Sequence, residues 1–286
     1  LTMALASRCP PEWLELRESA DAAARAGELL GPLDRYLASR PAAGGPLVIR
    51  DLGCGTGAMG RWLAGRLPGP QHWVLHDRDS VLLDRARAGV RGPAADGGAV
   101  TVETRETDIT RLRAPDLAGT ALLTASALLD LLTLDEVDRL AAACAGADCP
   151  ALLTLSVEGR VELAPVHPLD AEIAAAFNAH QRRTTGGRRL LGPDSATAAT
   201  EAFERRGVRV WSGASPWRLG AGQAALAAEW LRGWVAAAVE QRPALARPAE
   251  GYLRRRLDAC AAGALRVVVW HRDLLALPWP SGGGER

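Results

Sequence analysis

The chain has 286 residues, of which 48% are hydrophobic, and a formal net charge of +1. That length and composition suffice for one large core, or one core with an added lobe, while a near-zero charge offers no broad attraction for nucleic acid or an anionic membrane. The longest apolar stretch, Ala118 to Leu132, is interrupted by Thr124, Ser126 and Asp130, so no segment suits a membrane span. The N-terminus has no basic region followed by an apolar one, and the expectation is a soluble, cytoplasmic protein. Five cysteines without a C-x-x-C pair argue against a disulfide framework or a zinc site. All 34 Lys+Arg positions are arginine, which excludes a lysine Schiff base and a P-loop, since each requires the amine.

Pro11 to Arg40 reads as two helices broken near Gly31 and Pro32. Arg17, Asp21 and Arg25 stand at i, i+4 spacing on one face, the pattern of a solvated salt-bridge ladder. Pro41 to Pro46 is a short linker. Leu47 to Gly60, LVIRDLGCGTGAMG, then reads as a buried strand, a glycine loop and a helix. Gly53, Gly55 and Gly57 let the backbone turn sharply and approach a ligand. Met59, Trp62, Leu63 and Leu67 give the following helix a stripe to pack on the strand. Gly55, Gly57 and Gly60 also satisfy the G-x-G-x-x-G dinucleotide fingerprint. Asp51 separates the two readings, because a carboxylate just ahead of the glycines repels a pyrophosphate and suits a cationic ligand.

The run DLGCGTG, Asp51 to Gly57, resembles the first motif of class I S-adenosylmethionine-dependent methyltransferases. The resemblance implies that Asp51, Gly53, Cys54, Gly55 and Gly57 line the cofactor, and that the N-terminal segment forms a lid from which an arginine, Arg25, meets the cofactor's carboxylate. Gln71 to Asp77 is a second buried strand ending in an acid, and Asp77 follows Gly57 by 20 residues, the separation expected of a ribose-binding carboxylate. By resemblance Asp77 holds the ribose and Arg78 packs beside the adenine; the alternative for Asp77 is an N-cap of the helix from Ser80 to Arg87. His72 and His76 share a strand face without a third ligand nearby, which argues against a metal site.

Val100 to Thr104 alternates apolar and polar residues, as a strand near the sheet edge does. The family places an acid and an apolar neighbour after it to bind and cover the adenine, here Asp108 and Ile109; a solvated loop is the alternative. Thr120 to Thr124 is the next strand, and Thr124 to Asp130 falls where the family places its fourth motif beside the transferable methyl. Thr133 and Glu136 form a capping box for the next helix, and Ala151 to Leu155 is a fifth strand. Alternating strands and helices imply a doubly wound parallel sheet with ligands at the strand ends.

After residue 155 the pattern departs from the minimal fold. Asp170 to Arg182 is helical, TTGGRR is a basic glycine-bearing loop, and a helix runs from Pro193 to Gly207. Val208 and Val210 mark a sixth strand and Leu265 to Trp270 a last one. Between them Ala221 to Ala262 forms a helical insertion in which Leu226, Trp230 and Trp234 recur every four residues. The expectation is an α/β, seven-stranded methyltransferase sheet: residues 1–44 a helical lid, 45–218 the cofactor-binding core, 219–263 an acceptor lobe, 264–278 the last strand and 279–286 a disordered tail. The expected activity is methylation of a small-molecule acceptor, on oxygen or nitrogen, a carboxylate among the candidates, with no nucleic acid, membrane or metal involved. The alternatives are an RNA or protein methyltransferase, kept open by the arginines from Arg182 to Arg189, and a non-catalytic cofactor-binding protein. Candidate bases for the acceptor's proton are His180, which titrates near neutrality, and Asp130 beyond the fourth motif.

Overall fold

The computed structural model describes residues 9–40 and 44–279; part of the expected linker and nearly all of the expected tail lie outside these residues. Two helices come first, α1 (Pro11–Ala24) and α2 (Leu30–Ser39). Three strands follow, β1 (Leu47–Leu52), β2 (Gln71–Asp77) and β3 (Val100–Glu106), joined through helices α3 (Ala58–Leu63) and α4 (Ser80–Gly89). Next come β4 (Leu122–Ser126), α5 (Leu134–Gly146) and β5 (Ala151–Ala164), then α6 (Asp170–Gln181) and the hairpin β6 (Thr184–Thr185) and β7 (Arg188–Arg189). The chain continues through α7 (Ser195–Glu204), β8 (Arg209–Ala214), β9 (Trp217–Leu219), α8 (Ala224–Gln241), α9 (Ala246–Ala261) and β10 (Arg266–Leu277).

The main sheet has the order β3-β2-β1-β4-β5-β10-β8, with β9 also paired to β10. β1 to β5 are parallel, whereas β10 runs antiparallel to both β5 and β8. The seven-stranded sheet of the expectation is therefore present with one short strand added. Because β2 and β4 flank β1 on opposite sides, the order reverses at β1, and the loop after β1 opens into a crevice at the strand ends. Gly60 lets α3 come close to the end of α4: a Cβ there would stand 2.8 Å from Val90 Cγ2. The capping box also forms, with Thr133 N donating to Glu136 Oε2 at 2.9 Å and Glu136 N to Thr133 Oγ1 at 3.2 Å.

Three features differ from the sequence reading. The break between α1 and α2 falls at residues 25–29, and Gly31 and Pro32 lie in the first turn of α2, where backbone N–H groups have no intrahelical partner to lose. The TTGGRR segment is a tight hairpin turned by Gly186 and Gly187 at φ +55° and +75°. β5 and β10 run far beyond Leu155 and Trp270, the limits set by their continuous apolar runs. In their outer halves one face is solvated and carries Glu158, Arg160, Glu162, Trp270 and Arg272, joined by Arg272–Glu158, Arg160–Glu162 and Trp270–Glu162 contacts. A strand buried on one side alternates, so an apolar run marks only its inner half.

The buried face of this β5–β10 ribbon carries the helical lobe. α6 and α9 pack against α8, and Trp230 and Trp234 stack with ring centroids 5.0 Å apart. Both indoles are buried, in a core that continues through Phe177, Trp217, Val267 and Val269 to Trp13 of α1. Asp170 ties the lobe to α6 by accepting from Tyr252 Oη at 2.7 Å and from Arg256 Nη2 at 2.6 Å. The Trp234→Ala variant should lose about 3–5 kcal/mol of stability, the range for deleting a buried indole, read as a lower midpoint in chemical denaturation.

Candidate active site

The loop after β1 is built to be bare. Gly53, Gly55 and Gly57 take φ of +60°, +54° and +86°, and a Cβ on Gly53 would come within 3.1 Å of Leu128, one on Gly55 within 3.0 Å of Leu14. Backbone thus lies directly beneath α1 on one side and the turn after β4 on the other. Asp51 is buried at the end of β1. Its Oδ1 accepts from Thr124 Oγ1 at 2.7 Å, and its Oδ2 has no partner. Burial pushes the Asp51 carboxyl up to about 7, against the opposing pull of Thr124 and Arg25. Thr124 is itself fully buried, so it orients Asp51 and does not face the crevice. Cys54 is buried too, its N–H donating to the His76 carbonyl at 3.0 Å, and burial pushes its thiol up.

At the end of β2, Asp77 Oδ2 accepts from Gly55 N at 3.0 Å and Oδ1 from Asp79 N at 3.0 Å. The cap of α4 is Asp79, which accepts from Val81 N at 3.0 Å, so the alternative reading of Asp77 as that cap is overturned. Arg78 is exposed beside it. Past β3, Asp108 accepts from Thr110 N at 3.1 Å and Thr110 Oγ1 at 2.7 Å, and these bonds hold its carboxyl below the usual range. Ile109 is half-buried next to it.

The face of α1 that carries Arg17, Asp21 and Arg25 is not a solvated ladder. All three side chains are buried, because α1 packs on β9 and α8 and Arg25 turns in toward Ser126 and Trp62. Arg17 Nε donates to Asp21 Oδ2 at 2.8 Å, and Asp21 Oδ1 also accepts from Trp217 Nε1 at 2.9 Å. Arg25 Nη2 donates to Ser126 Oγ at 3.3 Å and its guanidinium lies 5.1 Å from the Trp62 ring centroid, while its Nε and Nη1 are buried without partners.

Hydrogen bonds thus link Asp51 with Thr124, Gly55 with Asp77, and Arg25 with the end of β4. The two candidate bases fall differently. Asp130 is buried just after β4, and burial pushes its carboxyl up. His180 lies in the α6–α8 interface, with Nε2 3.3 Å from Glu240 Oε2 and Nδ1 3.3 Å from Arg183 Nη1. Sequence reasoning missed Ser126, Asp273 and His271. His271 is fully buried, 5.4 Å from the Trp217 ring, with both ring nitrogens unpartnered, and burial pulls it down to about 3, so it is neutral. The available signal was polar His271-Arg272-Asp273 inside an apolar strand, VVVWHRDLLAL.

The donor set fits the amino-acid and ribose parts of S-adenosylmethionine. An unpartnered carboxylate oxygen matches an ammonium, two unpartnered guanidinium nitrogens match a carboxylate, and a second carboxylate stands beside the bare loop. Such a sheet and loop define a Rossmann-like fold. Residues 49–147, about a third of the chain, match a family described as a methyltransferase domain. No curated protein matches the sequence. Among solved structures it is similar to a cyclopropane synthase from Mycobacterium tuberculosis, at 14% identity over 86% of this chain and 83% of that one, TM-score 0.43. It is also similar to the magnesium protoporphyrin IX methyltransferase of Synechocystis with bound S-adenosylhomocysteine, at 12% identity over 72% and 77%, TM-score 0.40. A third is a plantazolicin methyltransferase in complex with S-adenosylhomocysteine, at 11% identity over 94% and 88%, TM-score 0.43.

A cationic ligand seated beside Asp51 would bind with proton linkage. It favours the carboxylate and lowers a pKa that stands at about 7 in the free protein. Binding below that pH then releases a proton, so affinity for S-adenosylhomocysteine should fall as pH drops from 8 to 6 and level off above. Calorimetry at pH 6.5 in two buffers of different ionisation enthalpy measures the proton; none released would mean Asp51 is already ionised.

Proposed function

We propose that the chain is a class I S-adenosylmethionine-dependent methyltransferase, and that it methylates a small, polar acceptor held between the β5–β10 ribbon and the helical lobe. The observation that carries the reading is a set of buried polar atoms without partners along that interface: both His271 nitrogens, both Gln181 amide atoms and Trp230 Nε1. Buried polar groups are otherwise almost always bonded. Gln181 and Trp230 also line a narrow cleft with Val157, Phe177 and Val269. In this reading the described residues of 1–44 form the lid, 45–218 and 264–278 the core, and 219–263 the acceptor lobe.

Toward the cofactor, Asp51 takes the ammonium, Arg25 the carboxylate and Asp77 the ribose, with Gly53, Cys54, Gly55 and Gly57 supplying the loop. Asp108, Ile109 and Arg78 surround the adenine, and Thr124 acts through Asp51. S-adenosylmethionine supplies an electrophilic methyl on its sulfonium. The chain's part is to align acceptor and methyl and to exclude water. For an acceptor oxygen or nitrogen that must lose a proton, Asp130 is the base we favour, because a carboxyl raised by burial at the end of β4 suits that work. His180, between Glu240 and Arg183, is the rival. The arginines that kept RNA in view engage their own chain: Arg182 Nε pairs with Asp194 at 2.6 Å and Arg188 Nη2 with Glu136 at 2.6 Å.

Two measurements test the proposal. S-adenosylmethionine and S-adenosylhomocysteine should bind in calorimetry, and NAD should not. With labelled cofactor, counts should enter a small-molecule pool and not tRNA or a protein extract; label in either macromolecule would replace the acceptor class. Once the acceptor is in hand, Asp130→Asn should slow transfer about a hundredfold, the lower scale for a lost general base, with cofactor affinity kept. His180→Gln with the larger loss would reverse the ranking.

A further inference from the structure

Asp273 does something the cofactor loop does not explain. It is buried on β10 and accepts three hydrogen bonds from three parts of the chain: Ala26 N at 2.9 Å, Leu155 N at 2.7 Å and Ser215 Oγ at 2.5 Å. Leu155 sits at φ +58°, a bend in β5, and Ser215 lies in the turn between β8 and β9. Ala26 directly follows Arg25 in the turn between α1 and α2. Arg25 has left the helix, at φ −53° and ψ 136°, and its own N–H donates to the Asp21 carbonyl at 3.1 Å. The peptide bond between residues 25 and 26 is therefore held by Asp273. The turn also lies hard on β8, since a Cβ on Gly213 would stand 2.6 Å from Ala26 Cβ. A buried carboxylate is costly to keep unless its bonds are all used, and here one of those bonds fixes the backbone of a guanidinium with two vacant nitrogens.

We propose that Asp273 is the positioning residue for recognition of the cofactor's carboxylate: it acts through Arg25, by fastening the α1–α2 turn to the last strand. The inference rests on the assignment of Arg25 to that carboxylate. Asp273 bonds the turn that aims the arginine and makes no contact with the ligand, so its loss affects one arm of the cofactor and spares the other.

The test compares two ligands. S-adenosylhomocysteine carries the amino-acid arm, and 5′-methylthioadenosine has the same adenosine and thioether without it. Asp273→Asn is a selective lesion, because the amide oxygen can keep the bonds from Leu155 and Ser215, whereas its NH2 meets Ala26 N–H donor to donor. The variant should bind S-adenosylhomocysteine at least tenfold more weakly in calorimetry and methylthioadenosine within twofold of the wild type. Equal loss of both ligands, or loss of neither, overturns the proposal. Should Asp273→Asn not fold, Ala26→Pro removes the same donor at residues whose dihedrals a proline accepts, φ −71° at Ala26 and an extended Arg25, and is judged by the same criteria. Arg25→Gln separates the two failures. If it abolishes the preference for S-adenosylhomocysteine while Asp273→Asn and Ala26→Pro keep it, only the positioning role falls; if Arg25→Gln keeps the preference, the carboxylate assignment falls and this proposal with it.

Discussion

Two buried charges with vacant valences govern this structure: the Asp51 carboxylate with one bare oxygen, and the Arg25 guanidinium with two bare nitrogens. Taking either out of water is expensive, and the expense is recovered only when good bonds fill what water left. Neither group can relax toward solvent, and burial lowers the Arg25 pKa while it raises that of Asp51. A ligand with an ammonium and a carboxylate on one carbon carries the two groups that would fill these vacancies. Under the proposed function the site is preorganised for such a zwitterion, with a frame stiff enough to hold the vacancies open.

The stiffness has local sources. Thr124 fixes Asp51, the Asp77 carboxylate fixes the Gly55 amide, and Asp273 fixes the turn after Arg25. Two of these three anchors are side chains on strands flanking β1 and the third is on β10, so the sheet itself transmits the geometry. The same sheet serves the lobe. By running past their neighbours, β5 and β10 carry one continuous buried face from Asp273 and His271 to Val267, and α6 and α8 close over it. Cofactor end and lobe are then parts of one packed layer and not separate bodies joined by a hinge.

Arginine without lysine shapes the surface in a similar way. Many of the arginines bond carboxylates or carbonyls of their own chain, often bidentately, as Arg61 does with Glu18 and Arg206 with Asp138. The planar fork suits such pairing.

The sequence by itself determined the first half of the sheet, the glycine loop and the acid that follows β2. Those depend on local rules: apolar runs make buried parallel strands, and glycine alone tolerates the loop's positive φ. Capping at Thr133 and Glu136 was legible for the same reason. Tertiary structure decided the rest. Arg17, Asp21 and Arg25 form an ordinary exposed pattern on an isolated helix, and only distant parts of the chain bury them: Trp217 of β9 bonds Asp21, and Arg25 meets Ser126 and Trp62. That Asp79, and not Asp77, caps α4 was legible only in the structure. The outer halves of β5 and β10 were hidden because charged residues on their solvated face broke the apolar run. Asp273 and His271 acquire meaning only from what packs on them, since a hydrogen bond between residues 26 and 273 leaves no periodicity in the chain.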